Sequence, residues 1–257
     1  MSTPNVVLKF GGTSLGNAAR VRAAARRVGA HRARGRRVVV VASANGHATD
    51  RILRRLLSVG GAEPDAREVD RALATGEDLS TTLLATALRG LGIPARSVRG
   101  GEAGILAEGP HGRGRIQRVD AAWLLALLDA GIVPVVSGFQ GARGDGETLT
   151  LGRGGSDTSA VALAAALGPA PCHIVTDVAA VFDRDPKLHA DAQPLPRLDH
   201  AALCELVNDG AQVVHPGAAE LARRHGVPLL IYHYRAPLSG RGGTRVGGAP
   251  VPLEEVA

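Results

Sequence analysis

Aromatic residues are almost absent from this chain of 257 residues, since Phe, Tyr and Trp together make up 2%. Its core must therefore be built from Ala, Val and Leu. The two cysteines, Cys172 and Cys204, show no metal-site or disulfide spacing, and the amino terminus lacks a signal-peptide pattern. No uncharged apolar run reaches the roughly 18 residues needed to cross a bilayer. These absences predict a soluble, cytoplasmic protein with no membrane contact.

Lysine is just as scarce, because Lys9 and Lys187 are the only lysines among 30 basic residues. Where a chain uses arginine almost everywhere, a lysine marks a place that needs a compact, mobile charge. The net charge of +6 is compatible with nucleic-acid binding, but no zinc, basic-zipper or aromatic-interleaved motif accompanies the dispersed arginines. We therefore expect no nucleic-acid partner.

Short β-branched runs alternate with helical segments along the chain, which predicts an α/β fold with a parallel sheet covered on both faces. Residues 6–10, 38–42, 133–137 and 172–176 are the clearest strands. Residues 67–91 are predicted to be helical with an interruption at Thr75-Gly76-Glu77, so Glu77 is either at a functional kink or simply solvated. Residues 100–118, rich in Gly and Arg, indicate a hairpin or a flexible flap over the site.

The chemistry converges on residues 147–160, where a glycine-rich turn connects a strand to an Ala-rich helix. We predict Ser156 as the N-cap of that helix, with an anion bound at its positive end. The planar fork of Arg153 suits a carboxylate or a phosphate, and Asp157 suits Mg²⁺ or a cationic group. A plain glycine-rich loop before a capped helix is the alternative for this stretch taken alone.

The first strand ends in the same kind of turn, with Lys9 followed by Gly11 and Gly12. Ligands of open α/β sheets bind at the carboxyl ends of the strands, which places the Lys9 ammonium beside a binding site. The order of glycines and lysine matches neither a phosphate-binding Walker loop nor a dinucleotide fingerprint. An ordinary surface lysine is the other interpretation.

Taken in order, these segments resemble the motifs of the amino-acid kinase superfamily, and most of all the catalytic domain of aspartokinase. The resemblance runs from about Val6 to Val246. The matching stretches are residues 9–14, 43–44 with 49–50, 75–80, 138–141, 149–157, 176–178 with 185–186, and 210–211 with 215–216. Several motifs in the family's order make the resemblance specific.

The resemblance implies a three-layer αβα sandwich with an open, mainly parallel sheet of about eight strands. It further implies ATP- and Mg²⁺-dependent phosphorylation of the side-chain carboxylate of aspartate or a close analogue, in a homodimer. The whole chain, 1–257, would be a single kinase domain, with an amino-acid half at about 1–165 and a nucleotide half at about 166–257. Aspartokinases normally continue into regulatory domains, and we expect none in this chain.

Site roles follow from the same resemblance, position by position. Lys9 and Asp157 would be catalytic, and Mg²⁺ would be held mainly by the ATP phosphates rather than by protein ligands. The residues expected to bind the amino acid are Ser43, Thr49, Glu77, Arg153 and Ser156. The residues expected to bind the nucleotide are Gly11, Gly12, Ser14, Thr176, Asp177, Phe182, Arg184, Lys187 and Gln212.

The chain departs from the family pattern mainly in the expected nucleotide half. Gln212 stands where a lysine is usual, Ala179-Ala180 where Asp-Gly is usual, and Phe182 where a tyrosine is usual. We predict that Lys187 or Arg184 supplies the phosphate contact that Gln212 lacks, and of the two we favour Lys187. Two alternatives stay open: a kinase for another small acid or phosphate acceptor, and a catalytically weak protein that binds nucleotide or amino acid.

Overall fold

The computed structural model describes residues 4–186, 188–238 and 242–247. Lys187 lies outside them, so its predicted role stays a prediction. The strands are β1 Asn5–Phe10, β2 Arg37–Ala42, β3 Ala95–Val98, β4 Ile105–Glu108, β5 Arg115–Val119, β6 Val133–Ser137, β7 Gln140–Ala142, β8 Thr148–Thr150, β9 Cys172–Thr176, β10 Val181–Phe182, β11 Pro194–Leu195, β12 Arg197–Leu198, β13 Leu229–His233 and β14 Thr244–Val246. The helices are α1 Ala18–Ala33, α2 Ala48–Gly60, α3 Ala66–Gly90, α4 Ala122–Asp129, α5 Gly155–Ala166, α6 His200–Asn208 and α7 Pro216–His225.

Eight strands form one sheet in the order β12-β14-β13-β9-β1-β2-β6-β3. The pairs are parallel except β13 with β14. β1 is a central strand, bonded to β2 on one side and β9 on the other. The prediction of an open, mainly parallel sheet of about eight strands is therefore confirmed, and the carboxyl ends of β1, β2 and β9 meet at one edge.

Helices cover both faces of this sheet, as its fully apolar central strands require. Along β1, Val6 and Leu8 pack against α1 and the end of α3, whereas Val7 faces the opposite layer of α4 to α7. Leu84 of α3 and Leu163 of α5 are both completely buried, one in each layer. The predicted αβα sandwich is confirmed. Within the described residues, no helix has the length and apolarity needed to cross a membrane.

The predicted interruption of the long helix at Thr75-Gly76-Glu77 is wrong, because α3 runs without a break from Ala66 to Gly90. Gly76 instead permits close packing. A Cβ placed on it would lie 3.0 Å from the Cβ of Ala44, in the turn after β2. The glycine therefore lets α3 approach that turn, and Glu77 lies beside the turn on an intact helix.

A second, four-stranded sheet, in the order β5-β4-β7-β8, lies next to the first. Its hairpins β4-β5 and β7-β8 are both antiparallel. Of the two interpretations offered for residues 100–118, the hairpin is the one observed. β8 leads directly into the glycine-rich turn before α5.

Candidate active site

A cavity of about 290 Å³ opens at the carboxyl ends of β1 and β2, where the loops after these strands meet α3 and the start of α5. Two charged side chains of each sign line it. Its lining residues are Lys9, Gly12, Ser43, Ala44, Gly46, Thr49, Glu77, Phe139, Gly152, Arg153, Gly154, Gly155, Ser156 and Asp157. All seven residues predicted to be catalytic or to bind the amino acid are therefore brought together.

Lys9 and Asp157 form an ion pair at one end of this cavity. The Nζ of Lys9 lies 2.7 Å from Oδ1 of Asp157, and both side chains are largely buried. The other carboxylate oxygen, Oδ2, accepts a hydrogen bond from the backbone N–H of His215 at 3.3 Å. Asp157 thus holds the ammonium in place and connects it to the start of α7.

Glu77 is 3% exposed, and only half of its carboxylate is satisfied. Oε1 accepts a hydrogen bond from the backbone N–H of Ala44 at 2.9 Å, whereas Oε2 has no hydrogen-bond partner among the described residues. Burial is the main reason that the pKa of Glu77 is raised from 4.5 to about 8, the nearby Asp78 adds to the shift, and the Ala44 N–H opposes it. A buried acid with an open oxygen favours a cationic ligand group.

The turns after β1 and β2 are bonded to each other, which fixes the floor of the cavity. The N–H of Gly46 donates to the carbonyl of Gly12 at 2.9 Å. A Cβ on Gly12 would lie 2.6 Å from the Ala44 carbonyl oxygen, so only glycine permits this approach. Ser43, in the turn after β2, and Thr49, in the first turn of α2, also line the cavity.

The turn before α5 places Arg153 at the mouth of the cavity. Gly152 and Gly154 have φ of 69° and 72°, the left-handed region where glycine is favoured. Arg153 is exposed and pairs with no acidic side chain in the part of the chain that the structure describes. Its guanidinium is therefore available for an anionic group of a ligand.

The predicted N-cap at Ser156 is wrong, because the left-handed turn at Gly154 starts the helix at Gly155. Ser156 is the second residue of α5, and its side chain lines the cavity. Two amides of the expected anion site are already used, since the N–H groups of Gly155 and Asp157 donate to Gly152 and Gly154 carbonyls. Arg153 and Lys9 therefore supply more of the site's positive charge than the helix start does.

Phe139 is a lining residue that the sequence reasoning did not select. It is the one non-glycine residue of the described chain with a positive φ, at 66°. Its N–H is bonded to Oγ of Ser159 and its carbonyl to the N–H of Leu151, which hold this uncommon conformation. The flanking Gly138-Phe139-Gln140-Gly141 pattern was the available signal. Such strain is often found at ligand sites.

The residues predicted to bind the nucleotide lie outside this cavity lining, apart from Gly12. Gly11 and Thr176 are neighbours at the same sheet edge, because the N–H of Gly11 donates to the carbonyl of Val175. A Cβ on Gly11 would lie 3.5 Å from Nζ of Lys9, in ordinary van der Waals contact, so Gly11 lies directly beside the ammonium. Its contact with the nucleotide phosphates stays a prediction.

The other predicted nucleotide residues that the structure describes differ in burial and location, and none of them lines the cavity. Ser14 is buried, and its hydroxyl donates to the carbonyl of Val175 at 3.1 Å. Arg184 lies 3.5 Å from Asp191. Asp177 and Gln212 are exposed, and Phe182 is half-buried on β10. Their contact with a nucleotide stays a prediction.

The described residues contain no group of three or more His, Cys, Asp or Glu side chains placed to hold a metal ion. Asp157, the acid beside Lys9, is already paired with that lysine. These residues do not form a protein cage for Mg²⁺, and a metal held mainly by the phosphates of ATP stays a prediction.

The chain matches the family model described as the amino acid kinase family over residues 5–233. It is 43% identical to an aspartokinase of Geobacillus stearothermophilus over 241 residues, which are 94% of this chain and 58% of that protein. It is 42% identical to an aspartokinase of Thermus thermophilus over 250 residues, 97% of this chain and 61% of that protein. The chain thus spans less than two thirds of these relatives.

Two solved structures of aspartate kinases are also similar to this chain. The aspartate kinase from Synechocystis superposes with a TM-score of 0.80 at 38% identity, over 96% of this chain and 40% of that one. The aspartokinase III of E. coli, solved in complex with aspartate and ADP, superposes with a TM-score of 0.83 at 26% identity, over 95% of this chain and 65% of that one. With a family model that spans most of its length and a fold shared with these enzymes, the chain belongs to the amino acid kinase family.

Proposed function

We propose that this chain is an ATP-dependent kinase that phosphorylates the side-chain carboxylate of aspartate, giving an acyl phosphate and ADP. The observation that carries the proposal is the charge arrangement of the cavity. Glu77 presents an unpartnered, buried carboxylate oxygen, and Arg153 presents an unpaired guanidinium to the same space. A ligand that carries both an ammonium and carboxylates satisfies the two groups together.

Glu77 and Arg153 would bind the amino acid in one orientation. The ammonium of the substrate would pair with Oε2 of Glu77, and a carboxylate would accept two hydrogen bonds from Arg153. Ser43, Thr49 and Ser156 would donate to the remaining oxygens. Among the acceptors of sister families in this fold, uridylate and acetylglutamate offer no free ammonium for Glu77, whereas glutamate does. The charge at Glu77 therefore favours a free amino acid over those alternatives.

Lys9 would act on the phosphoryl group during its transfer. An oxygen of the acceptor carboxylate attacks the γ-phosphorus, the bond from that phosphorus to the bridging oxygen breaks, and ADP leaves with the electron pair. Lys9 would stabilise the charge on the transferred group, and Asp157 would keep its ammonium in position. Gly11 and Gly12 would let the phosphates approach. Mg²⁺, carried on the phosphates, would neutralise part of their charge.

Relatives support this proposal beyond the geometry. The matched proteins are named aspartokinases at 42–43% identity, and the superposed E. coli enzyme was solved with aspartate and ADP. The catalytically weak binding protein, the other alternative, rests on Gln212 alone. Because Lys9, Glu77, Arg153 and Asp157 are all assembled, we favour the active enzyme.

The test is a coupled ADP-release assay with hydroxylamine trapping over a panel of amino acids, N-acetylated amino acids and uridylate. We expect an acyl hydroxamate with aspartate, dependent on ATP and Mg²⁺, and none with N-acetylated aspartate. Turnover of uridylate or an acylated acid instead would identify a different kinase of this family. Binding of aspartate by calorimetry without ADP release would favour the binding protein.

Three further expectations from the sequence stay predictions within this proposal. They are a cytoplasmic location, a homodimer, and the division of residues 1–257 into an amino-acid half and a nucleotide half. Size-exclusion chromatography with light scattering tests the dimer directly.

A further inference from the structure

Asp70 is a completely buried acid on α3 whose carboxylate contacts none of the cavity residues. A buried charge is costly unless its oxygens are well bonded. Asp70 is bonded to three separate residues, all of them on loops or strands beside the cavity. This arrangement is unusual for an acid in the middle of a helix, which normally faces water.

The first set of bonds ties Asp70 to the end of β8. Oδ1 accepts from the hydroxyl of Thr150 at 2.5 Å, and Oδ2 accepts from the backbone N–H of Thr150 at 3.0 Å. Only Leu151 separates Thr150 from Gly152 and Arg153. Asp70 therefore fixes the point at which the arginine-bearing turn leaves β8.

The second set of bonds ties Asp70 to the tip of the β4-β5 hairpin. The N–H of Gly112 donates to both carboxylate oxygens, at 2.9 and 3.1 Å, and Nδ1 of His111 lies 3.0 Å from Oδ2. The Gly112 carbonyl in turn lies 3.3 Å from where a Cβ of Gly152 would be. The hairpin tip thus packs directly on the turn that precedes Arg153.

Asp70 stands seven residues before Glu77, which is two turns of an unbroken helix. The two acids therefore lie along the same side of α3, one bonded to the Arg153 turn and the other lining the cavity. We propose that Asp70 is a positioning residue that sets the spacing between Glu77 and Arg153, and so the fit of the amino-acid acceptor. This inference rests on the proposed function, because it specifies how the acceptor site is held.

The chain contains a matched control for this inference. Arg67, one turn before Asp70, forms a bidentate pair with Glu147, just before β8, at 2.8 and 2.9 Å. This pair joins the same helix to the same hairpin, but at the surface, where an ion pair contributes little. If any link between α3 and the β7-β8 hairpin were sufficient, loss of either connection would have the same effect on acceptor binding. If the position of Thr150 matters, only loss of the buried bond between Asp70 and Thr150 should weaken that binding.

The experiment compares Thr150→Val, Thr150→Ser and Glu147→Gln with the wild-type chain. Thr150→Val keeps the side-chain shape but removes the hydroxyl that donates to Asp70, whereas Thr150→Ser keeps that hydroxyl. We expect Thr150→Val to raise the KM for aspartate by about tenfold, with kcat and the KM for ATP within about threefold. Thr150→Ser and Glu147→Gln should stay within about twofold of wild type. Asp70→Asn, if it folds, should raise the KM for aspartate by a larger factor and again change kcat and the KM for ATP much less.

An unchanged aspartate KM in Thr150→Val would overturn the positioning role. So would a loss shared equally by kcat and both KM values together with a lowered Tm, since that pattern reports general destabilisation. Failure of the proposed function is a separate result, because it appears as wild-type protein that forms no hydroxamate with aspartate.

Discussion

The raised pKa of Glu77 makes acceptor binding sensitive to pH in a range that is simple to measure. With the pKa at about 8 in the empty cavity, only about one-tenth of the protein carries an ionised Glu77 at pH 7. The ammonium of the acceptor requires the ionised form. We therefore expect kcat/KM for aspartate to fall about tenfold for each pH unit below 8, because this parameter reports the free enzyme.

Glu77→Gln is the variant that isolates this effect. It keeps the side-chain shape and the hydrogen bond from Ala44 but cannot ionise. Ionisation of the substrate affects wild type and variant equally, so it does not appear in the ratio of their kcat/KM values. Above pH 8 the ratio should reach a plateau equivalent to about 2 to 5 kcal/mol of lost charge pairing. Below pH 8 it should decline with a slope of about one. A ratio that stays flat between pH 6 and 8 would refute the reasoning.

The same pKa shift predicts that the unliganded protein becomes less stable as the pH rises, whereas its binding of the acceptor becomes stronger. Raising the pKa of an acid from 4.5 to about 8 means that the folded state holds a proton that the unfolded state releases. The stability contribution is complete below pH 4.5 and is lost as the pH rises through 8, by about 5 kcal/mol at most. Without ligand, Glu77→Gln should therefore have a higher Tm than wild type at pH 8.5, and this advantage should disappear near pH 4.5.

Four other substitutions test the remaining roles. Lys9→Ala should lower kcat by about 10²-fold or more with little change in the aspartate KM, because its charge acts on the moving phosphoryl group; a normal kcat in a steady-state assay would exclude that role. Arg153→Ala should raise the aspartate KM by a factor equivalent to about 2 kcal/mol or more, and leave the KM for ATP unchanged; equal effects on both substrates would contradict the assignment. Lys187→Ala should reduce kcat severely, and Gln212→Lys in the same chain should recover part of the loss in ADP release; a silent Lys187→Ala would show that Lys187 does not compensate.

The sequence was sufficient for the sheet and for the residues that gather at its edge. β-Branched runs that end in polar or glycine turns predict parallel strands, and such strands bring their carboxyl ends together whatever the details of the helices. This is why Lys9 at the end of β1, and Ser43 and Arg153 on two separate turns, could be assigned to one site before their distances were known. Glu77 joined them through the family resemblance rather than through its local pattern.

For Gly76 and Asp70, the deciding partner is distant in the sequence. Glycine is a poor helix former, so the sequence predicts a break at Gly76, and only the packing of Ala44 against it shows its purpose. The N-cap prediction at Ser156 failed for a local reason, because the left-handed Gly154 starts the helix at Gly155. Asp70 has the pattern of a solvated helix acid, since nothing nearby in sequence indicates the backbone donors of residues 112 and 150.

The central position of β1 has a mechanical consequence for how such a site closes on its ligands. β1 is paired with β2 along its whole length from Asn5 to Phe10 and with β9 from Val7 onward, so both proposed halves share a continuous backbone ladder at Lys9. Rotation of one half against the other would have to shear this ladder. Its amides should exchange with solvent only on global unfolding, while those of the turns around residues 46 and 152 exchange through local opening. We therefore expect any movement on ligand binding to be confined to the rim of the cavity, with the ammonium of Lys9 held in place by β1.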